Sequence, residues 1–169
     1  MENKKKYPFT VGANEGKSLS LVGNTYRILA GGKDTNDEYA IIDMLVPPGG
    51  GPGPHAHASF NETFYVIEGE VEVRSEAGSY TATKGSFVNI PKGGVVHAFK
   101  NKTDKIAQLL CTVVPAGLEK FFEEIGERVE HGQILPPRPM DEAYIKKLQE
   151  VATRYGQQVY PPNYLDGIS

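Results

Sequence analysis

The chain has 169 residues, a formal net charge of −3 and 39% hydrophobic residues, a length that supports one domain with its own core but not two barrels with their flanks. The slightly acidic balance gives no electrostatic footprint for nucleic acid, and no apolar run approaches the ~20 residues that a bilayer-crossing helix needs. The charged start Glu2-Asn3-Lys4-Lys5-Lys6 leads into no signal-peptide core, and the single cysteine, Cys111, cannot form an intramolecular disulfide, so the expectation is a soluble cytoplasmic protein with neither nucleic acid nor membrane as partner.

Taken in chain order, residues 1–38 read as an N-terminal arm with weak strands at 19–22 and 25–29. Its string Gly12-Ala13-Asn14-Glu15-Gly16-Lys17-Ser18 looks like a phosphate loop, but three residues separate the glycines where that motif has four, and it reads as a turn. Residues 39–114 hold short β runs divided by Gly and Pro. The stretch Pro47-Pro48-Gly49-Gly50-Gly51-Pro52-Gly53-Pro54 directly precedes His55 and predicts a loop bent closely around a site entrance. Residues 61–73 are two β-rich runs hinged at Glu68-Gly69-Glu70, which predicts a hairpin. A further strand over 85–91 ends at the turn Lys92-Gly93-Gly94, and the chain resumes extended through His97 to Phe99. Strands and turns at this density predict an all-β antiparallel sandwich or small barrel. Residues 115–169 differ in kind. Leu118, Phe121, Phe122, Ile125 and Val129 recur at helical spacing and predict a helix over 116–130. After the breaker Leu135-Pro136-Pro137-Arg138-Pro139, a second helix is predicted over 141–155, with Asp141 in front and Gly156 behind as caps. The Pro-containing tail from Tyr160 to Tyr164 cannot extend that helix and is expected along the surface or over the barrel mouth.

Within the β region, His55 and His57 are two residues apart, so in a strand they project from one face and can hold one ion between them. Glu62 shares a face with Phe64 and Val66 by the same rule, and His97 shares one with Phe99. Three imidazoles and one carboxylate suit a divalent first-row transition ion; manganese, iron, cobalt, nickel, copper and zinc all stay open. His131, in Glu130-His131-Gly132 at the end of a predicted helix, reads as a terminal cation. Cys111 lies in the apolar run 107–114 and reads as a small core residue. The strings Asn61-Glu62-Thr63 and Asn101-Lys102-Thr103 match the glycosylation acceptor, which carries no weight without a secretory signal.

The spacing Gly49-x5-His55-x-His57-x4-Glu62-x6-Gly69 resembles the first motif of the cupin superfamily at every fixed position, and Gly85-x5-Pro91-x-Gly93-x3-His97-x3-Asn101 resembles the second with one extra residue before His97. The chain resembles the single-domain, quercetinase-type cupins in particular through Ile28-Leu29-Ala30-Gly31-Gly32 before the barrel and the run from Leu118 to Gly126 after it. The resemblance implies a jelly-roll barrel with an N-terminal strand arm and two C-terminal helices, a metal inside the barrel on His55, His57, Glu62 and His97, and a homodimer to which the arm could lend an edge strand. It also implies two open positions on a six-coordinate ion, where a substrate oxygen and dioxygen could bind side by side. Quercetinase-like cupins open a flavonol ring with dioxygen, and the ligand glutamate takes the substrate's hydroxyl proton; Glu62 would be both ligand and general base here. Phe64, Val66 and Phe99 become pocket-wall candidates, with barrel core as the plainer role of each. Two other functions fit the same ligands: a metal-dependent isomerase or lyase that polarises a carbonyl without redox change, and a non-catalytic sensor or storage protein for a small molecule.

Overall fold

The computed structural model describes residues 7–168; the charged stretch Glu2 to Lys6 and Ser169 lie outside the described residues. The strands are β1 (Lys17–Leu21), β2 (Asn24–Ala30), β3 (Ala40–Val46), β4 (His55–His57), β5 (Asn61–Glu68), β6 (Glu70–Ser75), β7 (Gly78–Thr83), β8 (Phe87–Ile90), β9 (His97–Lys100), β10 (Ala107–Val114), β11 (Glu127–Val129) and β12 (Gln157–Val159). The helices are α1 (Gly32–Thr35), α2 (Leu118–Ile125) and α3 (Glu142–Arg154). One sheet has the order β11-β1-β2-β3-β10-β5-β8 and the other β12-β4-β9-β6-β7. The fold is the expected all-β jelly roll with C-terminal helices.

Period-two burial builds the interior. On β10, Ala107, Leu109, Cys111 and Val113 face inward and are fully buried. Across the ladder, β5 turns Glu62, Phe64 and Val66 to the same side, with Glu62 opposite Val113 and Phe64 opposite Cys111. The alternation that fills the core with apolar side chains thus also carries one carboxylate into it.

The residues on either side of Gly69 do not form a hairpin. β5 belongs to the first sheet and β6 to the second, so the chain crosses between sheets at Gly69. Gly69 has φ +75° and lies so close to Ala107 that a Cβ would be 3.0 Å from the Ala107 Cα, a backbone state and an approach that favour glycine. The two-strand ribbon that does form is β6–β7, paired from Glu70↔Thr83 to Ser75↔Gly78.

The N-terminal arm is continuous with the barrel. β2 pairs with β3, and β1 is flanked by β2 and β11 of its own chain, so neither of its edges is free to serve another copy. α2 is shorter than the periodicity predicts. Gly126 is extended, its N–H still donates to the Phe122 carbonyl, and the next three residues form β11 against β1, which moves Val129 from a helix face to a strand. α2 is seated by Leu118, Phe121 and Phe122, with the Phe122 ring stacked on Tyr26 at 4.1 Å between centroids. Its buried Glu119 accepts from the Gly32 and Gly117 N–H groups at 2.8 and 2.7 Å, so the buried charge is matched by two donors. α3 has the predicted cap: Asp141 Oδ1 accepts from the Tyr144 N–H at 2.8 Å. No helix among the described residues is long and apolar enough to cross a membrane.

Asn101, the last residue of the second motif, is fully buried. Its Nδ2 donates to the Val46 and Lys105 carbonyls, its Oδ1 accepts from Thr103, its N–H donates to the Gly50 carbonyl and its carbonyl accepts from the Gly49 N–H. It therefore ties the second motif to the loop that precedes His55, and it is closed to glycosylation in the folded state. Asn101→Ala leaves those carbonyls unpaired and is expected to cost about 2–4 kcal/mol. Differential scanning calorimetry should register this as a fall in Tm of about 5–12 °C; an unchanged Tm would contradict the assignment.

Candidate metal centre

The two sheets bring together residues that neither could assemble alone. β4 and β9 of the second sheet pair at His55↔His97, which puts those imidazoles side by side, and His57 follows on the same face two residues on. β5 of the first sheet presents Glu62 from across the interior. One ligand atom from each of His55, His57, Glu62 and His97 lies within 4.8 Å of the other three. His57, Glu62 and His97 are buried, whereas His55 is partly exposed at the edge of a cavity. His131 is exposed and outside this cluster.

A proton inventory shows what the cluster needs. Nδ1 of His55 is 2.9 Å from the Gly53 carbonyl, Nδ1 of His57 is 3.1 Å from that of Phe60, and Nδ1 of His97 is 3.0 Å from that of Val95. A carbonyl can only accept, so each Nδ1 carries the proton, and in a neutral ring Nε2 is left with a lone pair. The Nε2 of His57 is nevertheless 3.0 Å from Glu62 Oε2, and that of His97 is 3.5 Å away, buried and without a hydrogen-bond partner. Lone pairs aimed at a carboxylate repel unless a cation lies among them. The donor set therefore fits a divalent metal held by His55, His57, Glu62 and His97, with backbone carbonyls fixing each ring behind it. Stacking of Phe60 on the His57 ring, 4.2 Å between centroids, adds to that support.

Burial lowers the His55 imidazole to about 4, and the adjacent His97 adds to the shift. Burial by itself would raise the Glu62 carboxyl, but positive charge on its His57 and His97 side, where a proton or a metal ion would sit, outweighs it and keeps the group well below the usual carboxylate range. The Cys111 thiol donates to Glu62 Oε1 at 3.5 Å; burial first, and then the Glu62 charge, raise it well above its ordinary value. Cys111 is thus not only the small core residue that its apolar surroundings predict. The two oxygens of Glu62 have separate partners, imidazoles on one and a thiol on the other.

A cavity of about 380 Å³ opens beside the cluster, and of the four clustered residues only His55 and Glu62 reach its lining. Of the three pocket-wall candidates, Phe64 and Phe99 line this cavity; Val66 does not and is wholly enclosed in the core. The predicted entrance loop contributes Gly51, Pro52, Gly53 and Pro54. Gly51 has φ +123°, and a side chain there would run into the Phe99 carbonyl. The tail expected along the surface or over the barrel mouth contributes Tyr160, Pro161 and Pro162, whereas Asn24 and Tyr26 of β2, Phe121 and Phe122 of α2, and Gln157 of β12 were not read from the sequence as part of this wall. Helical periodicity marked the apolar faces of α2 and α3, but nothing in it distinguishes a face on a core from a face on a cavity.

The shifts set a pH window. The folded value of His55 lies below its ordinary 6.5, so between about 6.5 and 4 the unfolded chain binds more protons, and the contribution to stability is present above 6.5 and lost as pH falls towards 4. The depressed Glu62 carboxyl works in the same direction below its ordinary 4.5. Bound metal requires neutral imidazoles and is expected to leave over the upper part of this range. Elemental analysis after dialysis at pH 7.5, 6.0 and 4.5, with Tm measured at each, should show both falling together; full metal content at pH 4.5 would contradict the assignment.

The sequence pattern of the Cupin domain family matches residues 42–113. Quercetin 2,3-dioxygenase of Bacillus subtilis is 26% identical over 144 residues, which are 85% of this chain and 42% of that protein, so the chain spans less than half the length of that relative. Among solved structures, an RmlC-like cupin from Shewanella frigidimarina is 22% identical with a TM-score of 0.56, over 68% of this chain and 96% of that one. A predicted oxalate decarboxylase from Thermotoga maritima is 16% identical with a TM-score of 0.57, over 64% and 99%. Both are likenesses of fold. Residues 42–113 thus match the Cupin domain family, and the two-sheet jelly roll and the buried three-histidine, one-glutamate cluster joining the sheets agree with that match.

Proposed function

We propose that the protein is a metal-dependent dioxygenase acting on a flat, hydroxylated aromatic or enolic small molecule. The observation that carries this reading is the chemistry of the cavity beside the ligand cluster. Its lining is mainly aliphatic, aromatic and proline side chains, with Glu62 as the sole acid and no lysine or arginine among the described residues. A sugar phosphate or a dicarboxylate would meet no lysine or arginine there, whereas a planar apolar molecule meets Phe64, Phe99, Phe121 and Phe122. The partial likeness to quercetin 2,3-dioxygenase supports the same substrate class.

A divalent ion on the four ligands would supply Lewis acidity and, if redox-capable, a route for electrons between an electron-rich substrate and dioxygen. The remaining work falls to the chain. Glu62 is ionised at neutral pH and touches the cavity, so it stands ready to accept the proton of a substrate hydroxyl. A carboxyl held this low is a weak base, so the transfer would require a substrate hydroxyl acidified by an ion on the four ligands. Burial, reinforced by the Glu62 charge, raises the Tyr26 phenol well above its ordinary value, so it stays protonated and offers the cavity a neutral donor. The apolar walls exclude water from an enolate that would otherwise be reprotonated.

The test is oxygen uptake by protein loaded in turn with manganese, iron, cobalt, nickel, copper and zinc and offered flavonols, catechols and β-diketones. Uptake with a redox-capable ion or nickel is expected, and Glu62→Gln should lower kcat by about 10²–10³ in preparations matched for metal content. Turnover without oxygen consumption would move the assignment to an isomerase or lyase. Binding without turnover under any ion would move it to a sensor or storage protein.

A further inference from the structure

The cavity wall nearest the ligand cluster is completed by a segment outside the matched residues 42–113. β12 pairs antiparallel with β4 in the register Gln157↔His57, Gln158↔Ala56 and Val159↔His55. Directly opposed residues of an antiparallel pair extend to the same face. Gln157 therefore stands beside His57, and Val159 beside His55, on the inward face. The pairing is locked at one end by Gly156, which has φ +77° where α3 gives way to the strand, and at the other by the Tyr160 N–H, which donates to the Pro54 carbonyl at 2.9 Å.

Gln157 lines the cavity, and its carboxamide nitrogen is buried without a hydrogen-bond partner. Asn24, another amide on the lining, has its oxygen engaged by the Gly51 N–H at 3.0 Å. A buried N–H left unmatched is unfavourable unless something else supplies an acceptor, and the side chain that carries it borders the cavity. We infer that Gln157 is a substrate-recognition residue: its carboxamide donates to a carbonyl oxygen of a molecule seated against His55 and Glu62. The preferred ligand is then a planar ring or enol that carries a carbonyl beside its hydroxyl, and the C-terminal segment takes part in choosing it. This rests on the substrate class proposed above and adds the carbonyl to it.

The experiment uses full-length zinc-loaded protein under nitrogen, so that binding is read without turnover. Isothermal titration calorimetry compares quercetin, which has a ring carbonyl next to a hydroxyl, with catechin, which lacks the carbonyl and also has a saturated, non-planar central ring, so the role of Gln157 is read from the change between wild type and variant on each compound. Wild-type protein is expected to bind quercetin at least about tenfold more tightly, and Gln157→Leu to weaken quercetin about tenfold while leaving catechin and zinc stoichiometry unchanged. Gln157→Glu, which keeps the shape and removes the nitrogen, should also lose the preference and decides the matter if the leucine variant fails to fold. Wild-type affinity and preference in both variants would overturn the role of Gln157 and leave the dioxygenase reading standing. Wild-type protein that binds neither compound would sink the proposed substrate class and the inference with it.

Discussion

The rest of the structure depends on one constraint of proton accounting. Three imidazoles each give their single neutral-state proton to a backbone carbonyl, at Gly53, Phe60 and Val95, and what remains of each ring converges with the others on one carboxylate. Each carbonyl is two or three residues from its histidine, so the tautomer is settled by local chain geometry. The convergence is not local. It requires β4 and β9 from one sheet and β5 from the other to face each other across the core. A cation in this place therefore satisfies the buried electrostatics and fastens the two sheets together, which couples metal binding to folding.

The same geometry separates what the barrel provides from what its surroundings provide. His57 and His97 are enclosed, and Glu62 is braced on one oxygen by imidazoles and on the other by the Cys111 thiol. Such a centre has little freedom to change. The cavity is different: the N-terminal hairpin supplies Tyr26, α2 and α3 supply an apolar wall, and the chain after α3 returns to pair with the very strand that holds two of the histidines. Ligands are thus fixed by the core, while the shape and polarity offered to a substrate are set by flanking segments that could vary without disturbing those ligands.

How far the sequence could be read follows this division. The four clustered residues were legible because a period of two puts His55 and His57 on one face and the resemblance to the cupin motifs implies Glu62 and His97 beside them. The cap at Asp141 was legible from local spacing, since the side chain and the N–H that it accepts from are three residues apart. Readings that needed a partner strand went astray or were missed. The turn at Gly69 has the composition of a hairpin, but strand partners far along the chain, β10 for β5 and β9 for β6, draw its two arms into different sheets. Val129 fits a helical stripe, yet β1 offers an unpaired edge that takes residues 127–129 as a strand. β12 is three residues long and has no apolar alternation of its own; it is a strand only because β4 lies beside it. Cys111 was recognisable as inward-facing but not as the partner of Glu62, since that contact runs diagonally across the β5–β10 ladder.

A ligand set shared by a whole superfamily cannot by itself select a reaction, because the same ion can polarise a carbonyl, move a proton or engage dioxygen. Selection has to come from what is allowed to reach the ion and in which protonation state. On the proposed reading, the approach past His55 and Glu62 along walls without lysine or arginine would disfavour substrates that carry their own negative charge and favour those that become anionic only on arrival, by giving up a proton to Glu62. A neutral phenol or enol that ionises at the centre meets that condition. On the proposed reading its negative charge would be created beside the four clustered residues, where an ion on them would stabilise it, in a space too apolar to do so anywhere else.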